Sequence, residues 1–265
     1  MPTFVVGDVH GHPETLARLL RDAGLVDDNL RWSGRDARLW LLGDLIDRGP
    51  DGIGAIDLVM RLEREGPVRC LLGNHEALLL AVWRFANVEA TGPDALWRSV
   101  WRLNGGQTTD LERFRPEHAA WIEQLPAAAR DGDWLLLHSD TDAYLRFGRS
   151  VEVICGSISA VLRTGDADAV EDLLDALADR NGLHDPAAVD RLLGALGGLR
   201  IVHGHTPITF VTGADPELVV EPLAYGGGRV LNVDHCLFAG GPGFITELPV
   251  VSGDEAGTKS SDAAP

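Results

Sequence analysis

Within the first 206 residues, short apolar runs stop abruptly at polar residues beside glycine, and they do so five times. Thr3–Val6 leads into Gly7-Asp8-Val9-His10-Gly11, and Leu39–Leu42 into Gly43-Asp44-Leu45-Ile46-Asp47-Arg48-Gly49. Val68–Leu72 leads into Gly73-Asn74-His75-Glu76, Trp134–Leu137 into His138, and Leu199–Val202 into His203-Gly204-His205-Thr206. Runs of this length and composition predict buried strands. Between the early runs the apolar spacing becomes helical. Pro13–Ala23 carries Leu16, Leu19 and Leu20 on one face, with Pro13 suited to a first turn and Gly24 to a stop. Ile53–Glu65 repeats the pattern and ends at Gly66-Pro67, and Glu76–Val88 reads as a third helix. Three strand–turn–helix units predict parallel strands joined by crossovers.

The middle of the chain reads differently. Residues 91–130 are predicted to be mainly helical, anchored by Trp97, Trp101, Leu103, Phe114, Trp121, Ile122 and Leu125. Residues 150–197, rich in Ala, Asp and Leu, are again helical. Both segments read as insertions between strands of a single domain over residues 1–250. The tryptophans at helical spacing are read as core, and Asn104-Gly105-Gly106 as a helix stop ahead of the alternative, a loop near the cleft. Strands return at Val230–Val233 and Gly243–Leu248, and Val251–Pro265, which has no apolar face, is expected to be a disordered tail. The class is α/β.

Composition narrows the partners. Lys and Arg number 23 against 40 Asp and Glu, a net charge of −17, which would repel a nucleic-acid polymer over most of the surface. No stretch approaches the roughly 18 apolar residues of a membrane span. No secretory signal is visible before the first strand. Three widely spaced cysteines, Cys70, Cys155 and Cys236, without a CxxC pattern, read as free thiols in a reducing cytoplasm.

Ligand sites of open α/β sheets lie past the carboxyl ends of the strands, so the five runs deliver Asp8, His10, Asp44, Asn74, His138 and His205 to one rim. Oxygen and nitrogen donors without thiolate suit Mn²⁺, Fe²⁺ or Zn²⁺ more than Ca²⁺. Asp8 and His10 are two apart and can face one ion. Asp44 has two carboxylate oxygens and can bridge two ions, and Asn74 adds a neutral amide oxygen. Two ions about 3.5–4 Å apart that share a carboxylate clamp an in-line attack on phosphorus.

In order, GDVHG, GDLIDRG, GNHE, a lone His after a strand, and HGHTP resemble the calcineurin-like metallophosphoesterases. The Asp47-Arg48-Gly49 extension is similar to their phosphoprotein phosphatase branch, including bacterial and phage members. The matching segments span residues 3–207, and Asn232-Val233-Asp234 extends them to about residue 245. The resemblance implies a four-layer α/β/β/α sandwich of mixed sheets with flanking helices. It implies two divalent ions, Mn²⁺ first and Fe or Zn as alternatives. Asp8, His10 and Asp44 would hold one ion, and Asp44, Asn74, His138 and His205 the other. His75 would be the general acid, charged and oriented by Asp47, while Arg48, Asn74 and a second arginine would contact the phosphate. A metal-bridging hydroxide would attack directly, with no covalent phosphoenzyme. Phosphoserine or phosphothreonine in proteins is the leading substrate, a symmetrically cleaved dinucleoside polyphosphate the alternative, and a silent binding module the third reading.

Some positions depart from the family pattern. His138-Ser139-Asp140 stands where it usually has His-Ala-Gly, so Asp140 has three readings: substrate contact, water contact, or turned outward. Asp234-His235-Cys236 replaces Asp-Thr-Gly. Arg180, ahead of Arg163, is the candidate for the second arginine. His203 is expected to support the metal ligands from behind or to be structural, His12 to cap the first helix, and His118 and His184 to be surface residues.

Overall fold

A computed structural model describes residues 1–85 and 93–249; the C-terminal half-turn expected at 86–88 and the tail expected from 251 lie outside the described residues. The chain runs β1 (Thr3–Val6), α1 (Pro13–Asp22), β2 (Arg38–Leu41), α2 (Gly52–Glu65), β3 (Val68–Cys70) and α3 (Asn74–Phe85). Next come α4 (Pro93–Leu103), α5 (Thr108–Arg113), α6 (Pro116–Ile122), β4 (Ala128–Asp131) and β5 (Trp134–Leu137). Then follow α7 (Val151–Arg163), α8 (Ala167–Ala178), α9 (Pro186–Leu196), β6 (Arg200–His203), α10 (Ile208–Thr212), β7 (Leu223–Tyr225), β8 (Val230–Asn232) and β9 (Thr246–Leu248).

Two mixed sheets form among the described residues, in the orders β3-β2-β1-β9 and β4-β5-β6-β8-β7. The three early strands are parallel, as the strand–turn–helix pattern predicts, and β9 joins β1 antiparallel. In the second sheet β5, β6 and β8 are parallel, and β4 and β7 close the edges antiparallel. Strand side chains alternate in direction. Val5, Leu136 and Val202 accordingly pack into one cluster drawn from both sheets, while their neighbours Val6, Leu135, Leu137 and Ile201 join the larger core shared with the helices. Each sheet is thus covered by the other sheet on one face and by helices on the other, which is why the strands read as continuous apolar runs.

Helix ends follow local chemistry. Pro13 opens α1, the Asp51 carboxylate caps α2 by accepting from the Gly54 N–H, and Asp166 caps α8. His12 stands at the cap position of α1 but makes no side-chain cap bond; a neighbouring Pro13 leaves one fewer N–H to cap.

Two strands were not legible in the apolar pattern. β4 overlaps the end of the segment 91–130 expected to be helical, because Ala128-Ala129-Arg130-Asp131 lacks β-branched residues. Its signal is the turn: Asp131 pairs with Trp134, so Gly132-Asp133 is a two-residue hairpin loop with Gly132 at φ +57°. β7 is a half-exposed edge strand of three residues and carries no strong pattern.

Candidate active site

Loops leaving β1, β2, β3, β5 and β6 converge at the carboxyl ends of the parallel strands, five loops from two adjacent sheets. Backbone bonds tie them together. The Val9 and His10 N–H groups both donate to the Asp44 carbonyl, at 3.0 and 2.9 Å, and the Gly204 N–H donates to the His138 carbonyl. Glu76, fully buried at the start of α3, accepts from the N–H groups of Gly73, Asp44 and Leu45 at 3.1, 2.8 and 2.7 Å. That carboxylate locks the loop after β2 to the one after β3. Burial, with Asp44 nearby, pushes Glu76 up to about 7. Two glycines admit the close approach: a Cβ on Gly73 would collide with Asp44, and one on Gly204 with Asp8.

Nine described non-glycine residues have positive φ, and five of them are His10, Asp44, Asp47, Arg48 and His205. Left-handed backbone on such residues costs of order 1–3 kcal/mol each and concentrates where function over-determines the conformation.

Two groups of donors share Asp44. His10, Asp44 and His75 present atoms within 4.8 Å of one another, and so do Asp44, His138 and His205. Asp44 Oδ2 lies 3.9 Å from His10 Nε2 and 3.8 Å from His75 Nε2, while Oδ1 lies 3.3 Å from His138 Nε2. Asn74 Oδ1 is 3.0 Å from His138 Nε2, at the second group. His10 Nδ1 is bonded to the Ile46 carbonyl and His138 Nδ1 to the Leu42 carbonyl, so each ring turns Nε2 into the site. Asp8 accepts the His205 N–H on Oδ1, and its Oδ2, 3.7 Å from His10 Nε2, is buried without a partner. His205 Nδ1 is likewise buried and unpartnered.

The charge balance fits cations. Burial, together with Asp234 and Asp44, drives the Asp8 carboxyl well above its ordinary range. Burial raises Asp44 too, but His138 and His75 outweigh it and hold the group well below the usual range. Burial lowers His138, yet Asp44 carries it up to about 9. Buried carboxylates crowded together, with an orphaned oxygen and an orphaned imidazole nitrogen, form a donor set suited to divalent ions.

Beside the shared carboxylate stands a second constellation. His75 Nδ1 is 2.7 Å from Asp47 Oδ2, and Trp101 Nε1 donates to Asp47 Oδ1 at 2.9 Å. Burial lowers His75, but Asp44 and the Asp47 hydrogen bond leave it raised overall. The Arg48 guanidinium reaches His10 Nε2 at 2.9 Å and His75 Nε2 at 3.2 Å, lies 4.4 Å over the Phe238 ring, and its backbone N–H donates to the Gly105 carbonyl. Arg180 donates to the His205 carbonyl and so sits at this rim, whereas Arg163 pairs with Glu123.

All of the predicted site residues therefore gather here, while some neighbouring expectations change. Asp140 turns into the protein: Thr206 Oγ1 donates to Oδ1 at 2.6 Å and the Asn181 N–H to Oδ2 at 2.9 Å, so it buttresses the loop after β6. His203 is buried between the Gly204 carbonyl and the Tyr225 hydroxyl, a structural place. His118 is no surface residue; it is buried, its Nδ1 accepts from the Arg115 N–H, and its Nε2 meets Asp57. His184 is exposed and stacks on Tyr225. Asn104-Gly105-Gly106 does follow the end of α4, but it also supplies the carbonyl that holds Arg48. The site contacts of Trp101, Glu76 and Phe238 have no counterpart in the sequence expectations. Trp101 has the helical spacing of a core tryptophan, and it is one; only its indole N–H serves the site.

Residues 1–209 match the family model of the calcineurin-like phosphoesterases. The chain belongs to that family. It is 27% identical over 214 residues to a symmetrical bis(5'-nucleosyl)-tetraphosphatase of Pseudomonas putida (strain W619), covering 80% of this chain and 66% of that protein. It is 33% identical over 133 residues to serine/threonine-protein phosphatase 1 of Salmonella typhimurium, covering 50% of this chain and 51% of that one. The chain thus spans about half to two thirds of the length of these relatives. Its fold is that of the cold-active protein-tyrosine phosphatase of a psychrophile Shewanella sp., with a TM-score of 0.68 at 19% identity over 92% of this chain and 74% of that one. Calcineurin-like phosphoesterases use a dinuclear metal centre, and the two donor groups joined at Asp44 are its candidate here. No helix among the described residues is long and apolar enough to cross a membrane.

Proposed function

We propose that this chain is a metal-dependent phosphomonoesterase acting on phosphoserine and phosphothreonine in proteins. The observation that carries the chemistry is the Asp47–His75 pair, aimed at the carboxylate shared by the two donor groups and overlaid by Arg48. Asp8, His10 and Asp44 would hold one cation; Asp44, Asn74, His138 and His205 would hold the other. Mn²⁺ is our choice, with Fe or Zn compatible with the same donors. Bound there, the cations supply a water of lowered pKa and polarise the phosphoryl oxygens.

The protein groups then divide the work. Asp47 holds the Nδ1–H of His75, so Nε2 carries the proton for the leaving oxygen. Trp101, on the other Asp47 oxygen, keeps that carboxylate in place. Arg48 offers a fork of N–H donors to the phosphate oxygens as negative charge builds, and Phe238 beneath it limits its rotamers. Arg180 is the second phosphate contact, and Asn74 faces the substrate from the start of α3.

Asp47→Asn gives a pH signature. His75 acts as the protonated form, and activity falls as pH rises through its pKa, which Asp47 helps to raise. Removing that charge moves the alkaline limb of the kcat profile to lower pH, as a full pH–rate profile would show. An unmoved limb would dissociate Asp47 from the acid.

Symmetrical hydrolysis of dinucleoside tetraphosphates is the second reading, favoured by a relative of that name whose match covers 80% of this chain. The test is phosphate and nucleotide release from matched concentrations of a phosphothreonine peptide and diadenosine tetraphosphate, with metal-stripped protein resupplied with Mn²⁺. Peptide preference is expected. Dinucleotide preference would transfer the function, and activity on neither by the metal-loaded protein would remove the enzymatic reading.

A further inference from the structure

A groove of about 420 Å³ opens beside the catalytic rim, between α3, α4 and α8, and Asn74 belongs to both. Its two long walls differ in chemistry. Trp97 and Val100 of α4 and Asn104 just past its end line one wall, and Leu78 of α3 lies between the walls. From α8, Asp168, Glu171 and Asp175 line the other at helical spacing, with Leu174 between them. All three carboxylate residues are exposed, none of them is in an ion pair among the described residues, and no Lys or Arg is among the residues that line the groove. α7–α9 lie between β5 and β6, and α4 between β3 and β4, so both long walls come from segments outside the motif-bearing loops, and only Asn74 is shared with them.

We propose that this groove receives a Lys or Arg side chain of the substrate protein, close in sequence to the phosphorylated residue. The fit is chemical. A long basic side chain has an apolar stem and a charged tip, and here an aromatic and aliphatic wall faces a row of unpaired carboxylates. Trp97 adds a ring face for the cation. A dinucleoside tetraphosphate would set its own negative charge against the same carboxylates, and an acidic flank on a peptide would do likewise. The groove thus selects basic-flanked phosphoserine and phosphothreonine sites. This inference rests on the phosphoprotein reading of the adjoining centre.

The experiment compares three phosphothreonine peptides, flanked by Arg, by Ala and by Glu, on the Mn²⁺-loaded full chain. Diadenosine tetraphosphate and para-nitrophenyl phosphate are run alongside. Binding of phosphonate versions of the peptides is measured by fluorescence anisotropy. In wild type, kcat/KM for the Arg peptide should exceed that for the Glu peptide by about tenfold or more, with affinities in the same order. The triple variant Asp168→Asn, Glu171→Gln, Asp175→Asn should bring that ratio close to one. A wild-type ratio near one, or a ratio that survives the triple variant, overturns the groove assignment while leaving the phosphatase reading intact. Turnover of para-nitrophenyl phosphate and the dinucleotide with none of any peptide overturns the phosphoprotein reading, and the groove assignment with it.

Discussion

Asp44→Asn should release both cations and lower turnover by about a thousandfold or more. Asp44 alone belongs to both donor groups, and it is 1% exposed, so water would not replace the lost charge. At about 4 Å and an effective dielectric near 20, a unit negative charge is worth ~4 kcal/mol against each unit of positive charge on an ion. A loss of that size in the transition state is ~10³ in rate. The fold should survive. Asparagine keeps the oxygen that accepts the His75 N–H at 3.0 Å, and the Asp44 backbone bonds do not involve the side chain. Elemental analysis after dialysis, alongside phosphate release, checks both halves; two ions retained per chain would contradict the sharing of Asp44.

His75→Asn should behave in the opposite way: metal content held, turnover cut by about 10²–10⁴-fold. The geometry makes this a sharp test, because His75 Nε2 lies 3.8 Å from Asp44 Oδ2 and the ring groups with His10 as a possible ligand. A ligand role would cost an ion. A general-acid role would instead cost most with poor leaving groups. The loss should therefore be large with an alkyl phosphate such as phosphoserine and small with para-nitrophenyl phosphate, whose leaving oxygen needs no proton. Equal losses on both substrates, together with loss of metal, would reassign His75 to the metal shell and bring Asp8 into question as its counterpart.

Much of this centre was legible because its residues sit where strands end. A buried strand is mostly apolar, so the first polar side chain past its end marks the rim, and Asp8, Asp44, Asn74, His138 and His205 all stand at such points, although the buried His203 already ends β6. Asp140 shows the limit of that logic. It too follows a strand, yet both of its oxygens are taken by Thr206 and Asn181, partners 66 and 41 residues away, which no local pattern announces. Trp101 is hidden for another reason: a buried indole needs a hydrogen-bond acceptor, and only the packing of α4 beside the loop after β2 shows that the acceptor is Asp47. His118 looked exposed because its helix is short and polar, whereas it closes a capping arrangement at the start of α6. β4 was masked by its alanines, although its Gly132-Asp133 turn was in plain view. The groove between α4 and α8 was beyond reach, since it depends on which faces of two helices, some 70 residues apart, meet across α3.

The most direct test of a two-cation phosphomonoesterase is a Mn²⁺ titration of metal-stripped protein, with isothermal calorimetry and phosphate release from a phosphothreonine peptide followed together. Silence without metal is expected, then activity that rises to a plateau at two bound ions per chain, with Asp44→Asn binding neither tightly. Full turnover by stripped protein, or a plateau at one ion that Asp44→Asn does not alter, would contradict a paired-cation centre built on Asp44.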